Sequence, residues 1–179
     1  MDEKLWKECI DFHGHSCPGL AIGFAAAFAA MDKMNIPMER AADEELVCVS
    51  ENDACGIDCI QYLLSCTAGK GNLIFRPRGK SAYSFFSRKS GKRIRVVTDF
   101  PAEWENLGRE ELTKKILKSP AEEVFLFKKP DFELPEKARI FESVRCENCK
   151  EKTREDMIRL QEGKKVCLSC FKSYDRGWM

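Results

Sequence analysis

Two Cys-x-x-Cys pairs near the C-terminus carry the most definite chemistry in this sequence. Cys146 and Cys149 form the first pair, and Cys167 and Cys170 form the second after 17 intervening residues. Thiolates are soft ligands, and a hairpin that joins two such pairs makes a tetrahedral four-sulfur site. Redox dithiols and buried thiols are the alternatives, but this paired spacing is typical of zinc modules. We therefore predict one structural Zn²⁺ ion here.

A second concentration of ligand-type side chains lies in the segment FHGHSCPG. It contains Cys17 together with His13 and His15, which are the only two histidines of the chain. Alternate positions on a turn can converge on one ion, and a cysteine at a helix start lies at the positive end of the dipole, which favours thiolate. We predict a functional site that can hold a second metal. The alternative is a turn shaped by Gly14 and Pro18, whose imidazoles only cap backbone groups.

Three further cysteines recur along one predicted helix. At 100° per residue, Cys55, Cys59 and Cys66 fall on one stripe, with Asp58 near its edge and Glu51 just ahead of the helix. We expect Cys55 to face the histidine turn across a cleft. Cysteine is also a good buried hydrophobe, so plain packing is the alternative interpretation for each, and Cys59 is the most structural of the three.

Cationic residues follow this helix in two glycine-containing loops. TAGKGN contributes Lys70, and RPRGK contributes Arg76, Arg78 and Lys80. These side chains could bind a small anionic ligand. Charge runs of this kind are more often solvated surface, so both interpretations stay open at this point.

Composition limits the classes of partner. The chain has 179 residues, 44% hydrophobic residues and a formal charge of +1, so it can bury a core and has no global field to attract nucleic acid. Ten cysteines would suggest disulfides in a small secreted domain, but the start MDEKLWKECIDF lacks a signal-peptide pattern, so we expect a reducing cytoplasm. The longest apolar run is Leu20 to Met31, well short of the roughly 20 residues of a spanning helix. We therefore expect no membrane span and no nucleic-acid partner.

Periodicity and breakers predict the order of elements. Helices are predicted at Lys4 to Phe12, Pro18 to Met34, about Asp53 to Cys66, with an Asn52 or Asp53 cap and a stop at Gly69, and Pro101 to about Lys118. Strand-like segments are EELVCVS, NLIFRPRG, SAYSFFS and KRIRVVTDF, which suggest an antiparallel sheet, followed by extended EEVFLFKKP and ARIFESV. A boundary near Ser143 divides a core domain, residues 1–143, from a zinc-binding domain, residues 144–179, in which a short helix is predicted to contain Phe171 and Tyr174.

The helix from Pro18 to Met34 also bears on assembly. It is almost wholly apolar, and small residues such as Gly19 and Gly23 would let another backbone approach closely. A chain of this size buries only part of so much apolar surface by itself. We expect a homodimer, the alternative being a monomer whose own sheet covers the helix.

Three motifs in order, FHGHSCPGLAIG, ENDACGIDCIQYLLSCTAGKGNLIFRPRGKSAYSFF and the RCENCKE/KKVCLSC pair, resemble the FmdE family of formylmethanofuran dehydrogenase. The resemblance implies an α+β fold with an antiparallel or mixed sheet, a small treble-clef or ribbon-like zinc domain, and a homodimer. The family motifs fall on His13, His15, Cys17, Pro18, Gly19, Glu51, Cys55, Asp58, Gln61, Cys66, Thr67, Gly69, Lys70, Asn72, Gly79 and Lys80.

Two functions are weighed on this basis. The first is an accessory or catalytic metal/thiol protein of anaerobic one-carbon or redox metabolism, with or without a redox-enzyme partner. Its catalytic residues would be His15, Cys17, Cys55 and Asp58, and its cofactor-binding residues would be His13, Glu51, Cys66, Lys70 and Lys80. The alternative is a regulatory or partner-binding protein whose zinc module docks protein or nucleic acid. Whether the chain is an enzyme is left open by the residues.

Overall fold

The computed structural model describes residues 2–174 and 177. It divides into two compact units, Met1–Ala138 and Arg139–Met179, each with its own hydrophobic cluster. Five helices and a five-stranded sheet are described in the first unit, and two small hairpins in the second. The α+β fold with a small C-terminal cysteine module is therefore confirmed.

Two helices meet at the histidine turn. Helix α1 (Glu3–His13) begins where the Asp2 side chain accepts a hydrogen bond from the Leu5 N–H, and it ends at Gly14, whose φ of 95° suits glycine. Helix α2 (Pro18–Met34) has Cys17 at its N-cap and a proline in its first turn. The chain reverses between them within four residues, Gly14 to Cys17.

Helix α3 (Gly56–Leu64) is shorter than predicted at both ends. No side chain caps its start, because the Asn52 amide is used elsewhere, accepting from the Ala54 N–H and donating to a loop carbonyl. Its end is Ser65, in the left-handed conformation at φ 55°. The predicted stop at Gly69 was therefore wrong by one turn.

The sheet has the strand order β2-β1-β3-β4-β5. Its strands are β1 (Leu46–Ser50), β2 (Leu73–Phe75), β3 (Ala82–Ser87), β4 (Arg93–Thr98) and β5 (Phe125–Lys128). All neighbouring pairs are antiparallel except β1 and β2, which are parallel. Helix α3 forms the crossover between those two strands, as a parallel pair requires, so the sheet is mixed rather than purely antiparallel.

The helix predicted from Pro101 is divided. A 3₁₀ turn spans Ala102–Asn106, α4 spans Arg109–Lys118, and the short α5 spans Ala121–Val124. Leu107 and Gly108 are extended and separate the first two pieces. Trp104 is buried in the 3₁₀ turn and anchors it to the core.

Helix α2 lies at the centre of the first unit. It packs on α3, α4 and the sheet, and a Cβ on Gly23 would lie 2.0 Å from the Gly56 carbonyl oxygen. Only glycine allows this close helix crossing. The small residues of α2 therefore serve a contact inside the chain. No described helix is long and apolar enough to cross a bilayer.

The second unit is built from two hairpins. Strands β6 (Ser143–Arg145) and β7 (Lys152–Arg154) form the first, a 3₁₀ turn follows at Glu155–Met157, and β8 (Ile158–Gln161) and β9 (Lys164–Cys167) form the second. Positive φ values at Glu162 and Gly163 give the β8–β9 connection the twist of a two-residue hairpin turn. Residues 171–174 are irregular, so the predicted helix containing Phe171 and Tyr174 was wrong there.

Candidate metal centres

The four C-terminal cysteines meet at the hairpins of the second unit. The sulfur atoms of Cys146, Cys149, Cys167 and Cys170 all lie within 4.8 Å of one another, and Cys149 Sγ is 3.8 Å from Cys167 Sγ. Tetrahedral Zn–S bonds of about 2.3 Å place sulfur atoms about 3.8 Å apart. The cluster therefore has the dimensions of a zinc tetrathiolate site.

Backbone N–H groups shape the two cysteine loops. The Lys150 N–H donates to the Cys146 carbonyl at 3.0 Å, and the Phe171 N–H donates to the Cys167 carbonyl at 2.9 Å. The Cys167 N–H donates to Cys146 Sγ at 3.3 Å, and this is the main reason that the pKa of Cys146 falls to about 6. A lowered pKa favours the thiolate, which is the form that binds metal.

The histidine turn forms a second cluster of ligand-type atoms. One nitrogen each of His13 and His15 and Cys17 Sγ lie within 4.8 Å of one another, and the two imidazole rings are 4.5 Å apart. Gly14 makes this possible, because its left-handed backbone turns the chain directly after His13. Cys17 is buried and His15 is exposed, so one side of the cluster is open to solvent.

The orientation of His13 is fixed from α3. Its Nδ1 lies 2.6 Å from Asp58 Oδ2, and Gln61 Nε2 donates to the other carboxylate oxygen at 3.2 Å. The remaining nitrogen, His13 Nε2, is buried and has no hydrogen-bond partner. Metal-binding histidines typically bond a carboxylate through one ring nitrogen and keep the other nitrogen free for the metal. His13 has this arrangement, so the residues fit a metal ion.

Cys17 and Cys55 flank Gly19. A Cβ built on Gly19 would lie 4.0 Å from Cys17 Sγ and 3.8 Å from Cys55 Sγ, so both sulfurs lie beside Gly19, although Cys55 Sγ is not one of the clustered ligand atoms. Cys17 Sγ also accepts from the Leu20 N–H at 3.3 Å, at the N-terminus of α2. Burial, and then the adjacent Cys17, raise the pKa of the Cys55 thiol. Without a metal, Cys55 therefore remains protonated at neutral pH.

The other two cysteines of the predicted stripe, Cys59 and Cys66, are not among the clustered ligand atoms. Cys59 is fully buried, and its hydrogen bond with Cys9, together with burial, raises its pKa. Cys66 follows the end of α3 and Cys55 precedes its start, so they lie at opposite ends of a nine-residue helix about 13.5 Å long. Cys66 lies under β1, where its Sγ donates to the Leu46 carbonyl and burial raises its pKa to about 12. The single stripe fails because the helix ends before Cys66.

Lys70 and Asn72 both lie in the loop that follows α3, and their side chains bind backbone groups. Lys70 Nζ donates to the Ala41 carbonyl at 2.6 Å. The buried Asn72 amide accepts from the Thr67 N–H and donates to the Leu46 carbonyl at 3.0 Å. Both side chains hold backbone in place in this structure, and neither lies with the histidine turn.

Glu51 and Lys80 line a cavity of about 450 Å³. The Glu51 carboxylate accepts from Arg95 Nε at 2.5 Å and from Arg95 Nη2 at 2.8 Å, and this pairing raises the pKa of Arg95. Lys80 is exposed at the cavity. The predicted cofactor-binding residues are therefore spread over three places: His13 in the metal cluster, Cys66 and Lys70 near β1, and Glu51 and Lys80 here.

Sequence reasoning missed Arg95 and Gly56. The alternating charges of KRIRVVTDF were a usable signal, because residues two apart on a strand share a face. Gly56 has no such pattern around it. Its role depends on the distant Gly23, which only the folded chain brings into contact.

Fold and clusters together define a two-unit protein with a four-cysteine zinc-finger module and an α+β unit that contains a His/Cys cluster. The chain belongs to the FmdE family: the model described as "FmdE, Molybdenum formylmethanofuran dehydrogenase operon" matches residues 12–138. The model "Prokaryotic dksA/traR C4-type zinc finger" matches residues 139–176. The resemblance to the FmdE family and the zinc-finger prediction are thus confirmed.

Two relatives extend this comparison. A crystal structure of a tungsten formylmethanofuran dehydrogenase FmdE-like protein from Syntrophus aciditrophicus is 26% identical, with a TM-score of 0.71 over 94% of this chain and 90% of that one. A probable S-adenosyl-L-methionine-binding protein from Archaeoglobus fulgidus is 31% identical over 96% of this chain. The chain spans 53% of that relative, about half its length.

Proposed function

We propose that the first unit holds a metal ion on His13, His15 and Cys17 and acts as a catalytic or accessory metal/thiol centre of one-carbon or redox metabolism. The observation that carries this proposal is the buried, unpartnered Nε2 of His13. An imidazole nitrogen sealed from water without a partner is costly, and a bound ion would satisfy it. The one-carbon context is supported by the family and by the name of the Syntrophus aciditrophicus relative.

Each residue has a distinct task in this proposal. His13, His15 and Cys17 supply two nitrogen ligands and one sulfur ligand, a donor set that suits Zn²⁺ and other borderline transition metals. Asp58 orients His13 and raises its basicity as a ligand. A metal with three protein ligands and one open position supplies Lewis-acid chemistry. Cys55, which lies with Cys17 beside Gly19, would supply a further thiol next to the metal.

The four-cysteine module has a structural task. The protein ligands Cys146, Cys149, Cys167 and Cys170 complete a tetrahedron, so a zinc ion there has no open position for substrate. The short hairpins around it have few buried hydrophobic residues, among them Val166. Zinc binding therefore supplies much of the folding free energy of this module.

Metal content tests the proposal. Protein purified anaerobically should contain two metal ions per chain, one in each unit. Cys17→Ala should contain one, and Cys59→Ala should still contain two, because the Cys59 thiol is hydrogen-bonded with Cys9 and is not one of the clustered ligand atoms. One metal per chain in the unchanged protein, or two in Cys17→Ala, would contradict the core metal site.

S-adenosyl-L-methionine is a candidate ligand through the printed name of the Archaeoglobus fulgidus relative. Its amino and carboxylate groups are metal ligands, and the exposed side of His15 leaves the cluster accessible. Calorimetry with metal-loaded protein and with Cys17→Ala tests this candidate. Binding that is lost in the variant would place the ligand at the metal, and binding that is retained would reject that placement.

A homodimer is the proposed assembly. Most of α2 is already covered within its own unit, which limits the surface that is left for a partner. The support for a dimer is the remaining apolar groove between α2 and α4, lined by side chains such as Phe28 and Leu117. Light scattering at micromolar concentration should give twice the chain mass of 20.5 kDa. A mass of 20.5 kDa would reject the dimer.

A second candidate function is partner docking through the zinc module. Leu160 is 72% exposed and Leu168 is 47% exposed. Exposed apolar side chains of this kind can mark a protein-binding surface. If docking is the main function, Leu160→Ser should abolish partner capture while Cys17→Ala leaves capture intact.

A further inference from the structure

The cavity at Glu51 lies on the opposite face of the sheet from the helices. The helix-side core contains Cys48 and Phe85, whereas Val49 and Phe86 belong to a separate cluster on the other face. In antiparallel register, Val49 pairs with Ser84, Ser84 with Arg95, and Arg95 with Lys128. Directly opposed residues share a face, so this row runs along the same side as the second cluster. The cavity is therefore distinct from the His/Cys cluster.

Positive charge dominates this cavity. Its lining contains six cationic and two acidic residues, although the chain as a whole has 30 cationic and 29 acidic residues. The cations are Arg76, Arg78, Lys80, Arg95, Lys128 and Lys129. They come from the ends of β2 and β5, the start of β3 and the middle of β4. The fold thus gathers charges that are scattered in sequence.

Only one of these cations is neutralised by a close acid. Arg95 is paired with the buried Glu51. Among the described residues, none of the other five has a carboxylate within 4 Å; Arg76 instead lies over the Phe132 ring at 4.3 Å. Like charges around one cavity repel and raise the local potential, which favours a bound anion.

The cavity also has a fixed polar base. Glu51 engages Nε and Nη2 of Arg95, which holds that guanidinium against the sheet. A fixed base and a surrounding set of five exposed cations are suited to a small, multiply charged ligand.

We propose that this cavity binds a diphosphate or triphosphate group. Two guanidinium groups, Arg76 and Arg78, match the oxygen geometry of phosphate, and Lys80, Lys128 and Lys129 add point charges. A volume of about 450 Å³ is within the range of small-molecule sites and exceeds the needs of a single small anion. The diphosphate group is common to free pyrophosphate and to a nucleoside diphosphate, and either could be its source.

Calorimetry on the full-length, metal-loaded protein tests the proposal. The probes are inorganic pyrophosphate, ADP, orthophosphate and citrate. We expect pyrophosphate and ADP to bind at least tenfold more tightly than orthophosphate or citrate. Equal affinity for pyrophosphate and ADP supports recognition of the phosphates alone, and tighter ADP binding supports a nucleotide ligand. Citrate or orthophosphate binding as tightly as pyrophosphate, or no binding of any probe, overturns the proposal.

Two matched double variants localise the binding. Arg78→Gln with Lys80→Gln removes two exposed cations of the cavity, and Lys7→Gln with Lys118→Gln removes two exposed cations elsewhere. The first should weaken pyrophosphate binding at least tenfold and the second less than twofold. Equal losses of pyrophosphate affinity in the two double variants would show that binding depends only on the net charge of the protein, and would reject the site. Unchanged pyrophosphate binding in Cys17→Ala would show that this site is separate from the metal centre. The two proposals can therefore fail independently of each other.

Discussion

Asp58 Oδ2 lies 2.6 Å from His13 Nδ1. The other nitrogen of the same ring, His13 Nε2, is buried and has no hydrogen-bond partner. The carboxylate comes from α3 and the imidazole from the end of α1, 45 residues apart in sequence. A hydrogen bond on one ring nitrogen selects the tautomer and leaves the other nitrogen as a lone-pair donor. The packing of α1 against α3 therefore prepares His13 as a ligand before any ion binds.

Asp58→Asn should weaken metal binding at the histidine turn about 10- to 100-fold, the usual cost of losing a carboxylate behind a ligating histidine. Asp53→Asn is the matched control, because Asp53 is exposed just before α3. Competition with a chromophoric chelator measures both affinities. Equal affinity of the two variants would show that Asp58 does not orient a ligand.

Gly23→Ala should destabilise the first unit by about 1–3 kcal/mol or more, as overpacking of a close contact does. Its new methyl group would lie 2.0 Å from the Gly56 carbonyl oxygen, so α2 and α3 must separate. Gly69→Ala is the control, since nothing lies within 4 Å of its Cβ position. Urea unfolding curves measure the difference, and equal midpoints for the two variants would contradict the close crossing.

The histidine turn and the end of α3 show how far the sequence could predict the site. Gly14, Pro18 and the alternation of His13, His15 and Cys17 identified a turn with converging ligands from local pattern alone. Local pattern could not show that α3 ends at Ser65, because a left-handed serine is set by its tertiary surroundings rather than by propensity. Cys66 was placed on the site for that reason.

The sheet shows the same division between local and distant information. Strand positions follow from local β-rich and alternating patterns, and strand-like or extended segments were predicted at all five strands, β1 to β5. The parallel pairing of β1 with β2 depends on the crossover path of α3, and the Glu51–Arg95 pair depends on which strands become neighbours. The alternating charges of KRIRVVTDF indicate a polar face on β4, but they do not indicate which residue 44 positions away will pair with Arg95.

Cys55→Ala and Cys59→Ala should differ sharply, although the two residues are one helical turn apart. Cys55 lies beside Cys17, so its loss should lower metal affinity at the histidine turn. Cys59→Ala should leave that affinity unchanged and cost about 1 kcal/mol of stability through a small cavity next to Cys9. Metal titration and urea unfolding of both variants check this pattern. Loss of metal from Cys59→Ala would contradict it.

Glu51→Gln should destabilise the first unit by about 3 kcal/mol, because it leaves the charged Arg95 side chain largely buried without a partner. Only 8% of the Glu51 side chain and 13% of the Arg95 side chain are exposed. The control is Glu110→Gln, which breaks the exposed pair with Lys114 and should leave the unfolding midpoint nearly unchanged, because solvent screens that pair. Similar unfolding midpoints for the two variants would show that the Glu51 pair contributes little.

Cys149→Ser should unfold the zinc module selectively. Zinc held by thiolates is coupled to folding of such small units, and the module's own core is limited to a few residues around Val166. We expect hydrogen exchange at β6 to β9 to become fast while exchange in β1 and β3 stays slow, since those strands belong to the separate core of the first unit. Leu168→Ala, an exposed change between the second pair of ligands, should retain slow exchange in the module. Retained protection of β9 in Cys149→Ser, with full zinc occupancy, would contradict the four-cysteine ligand set.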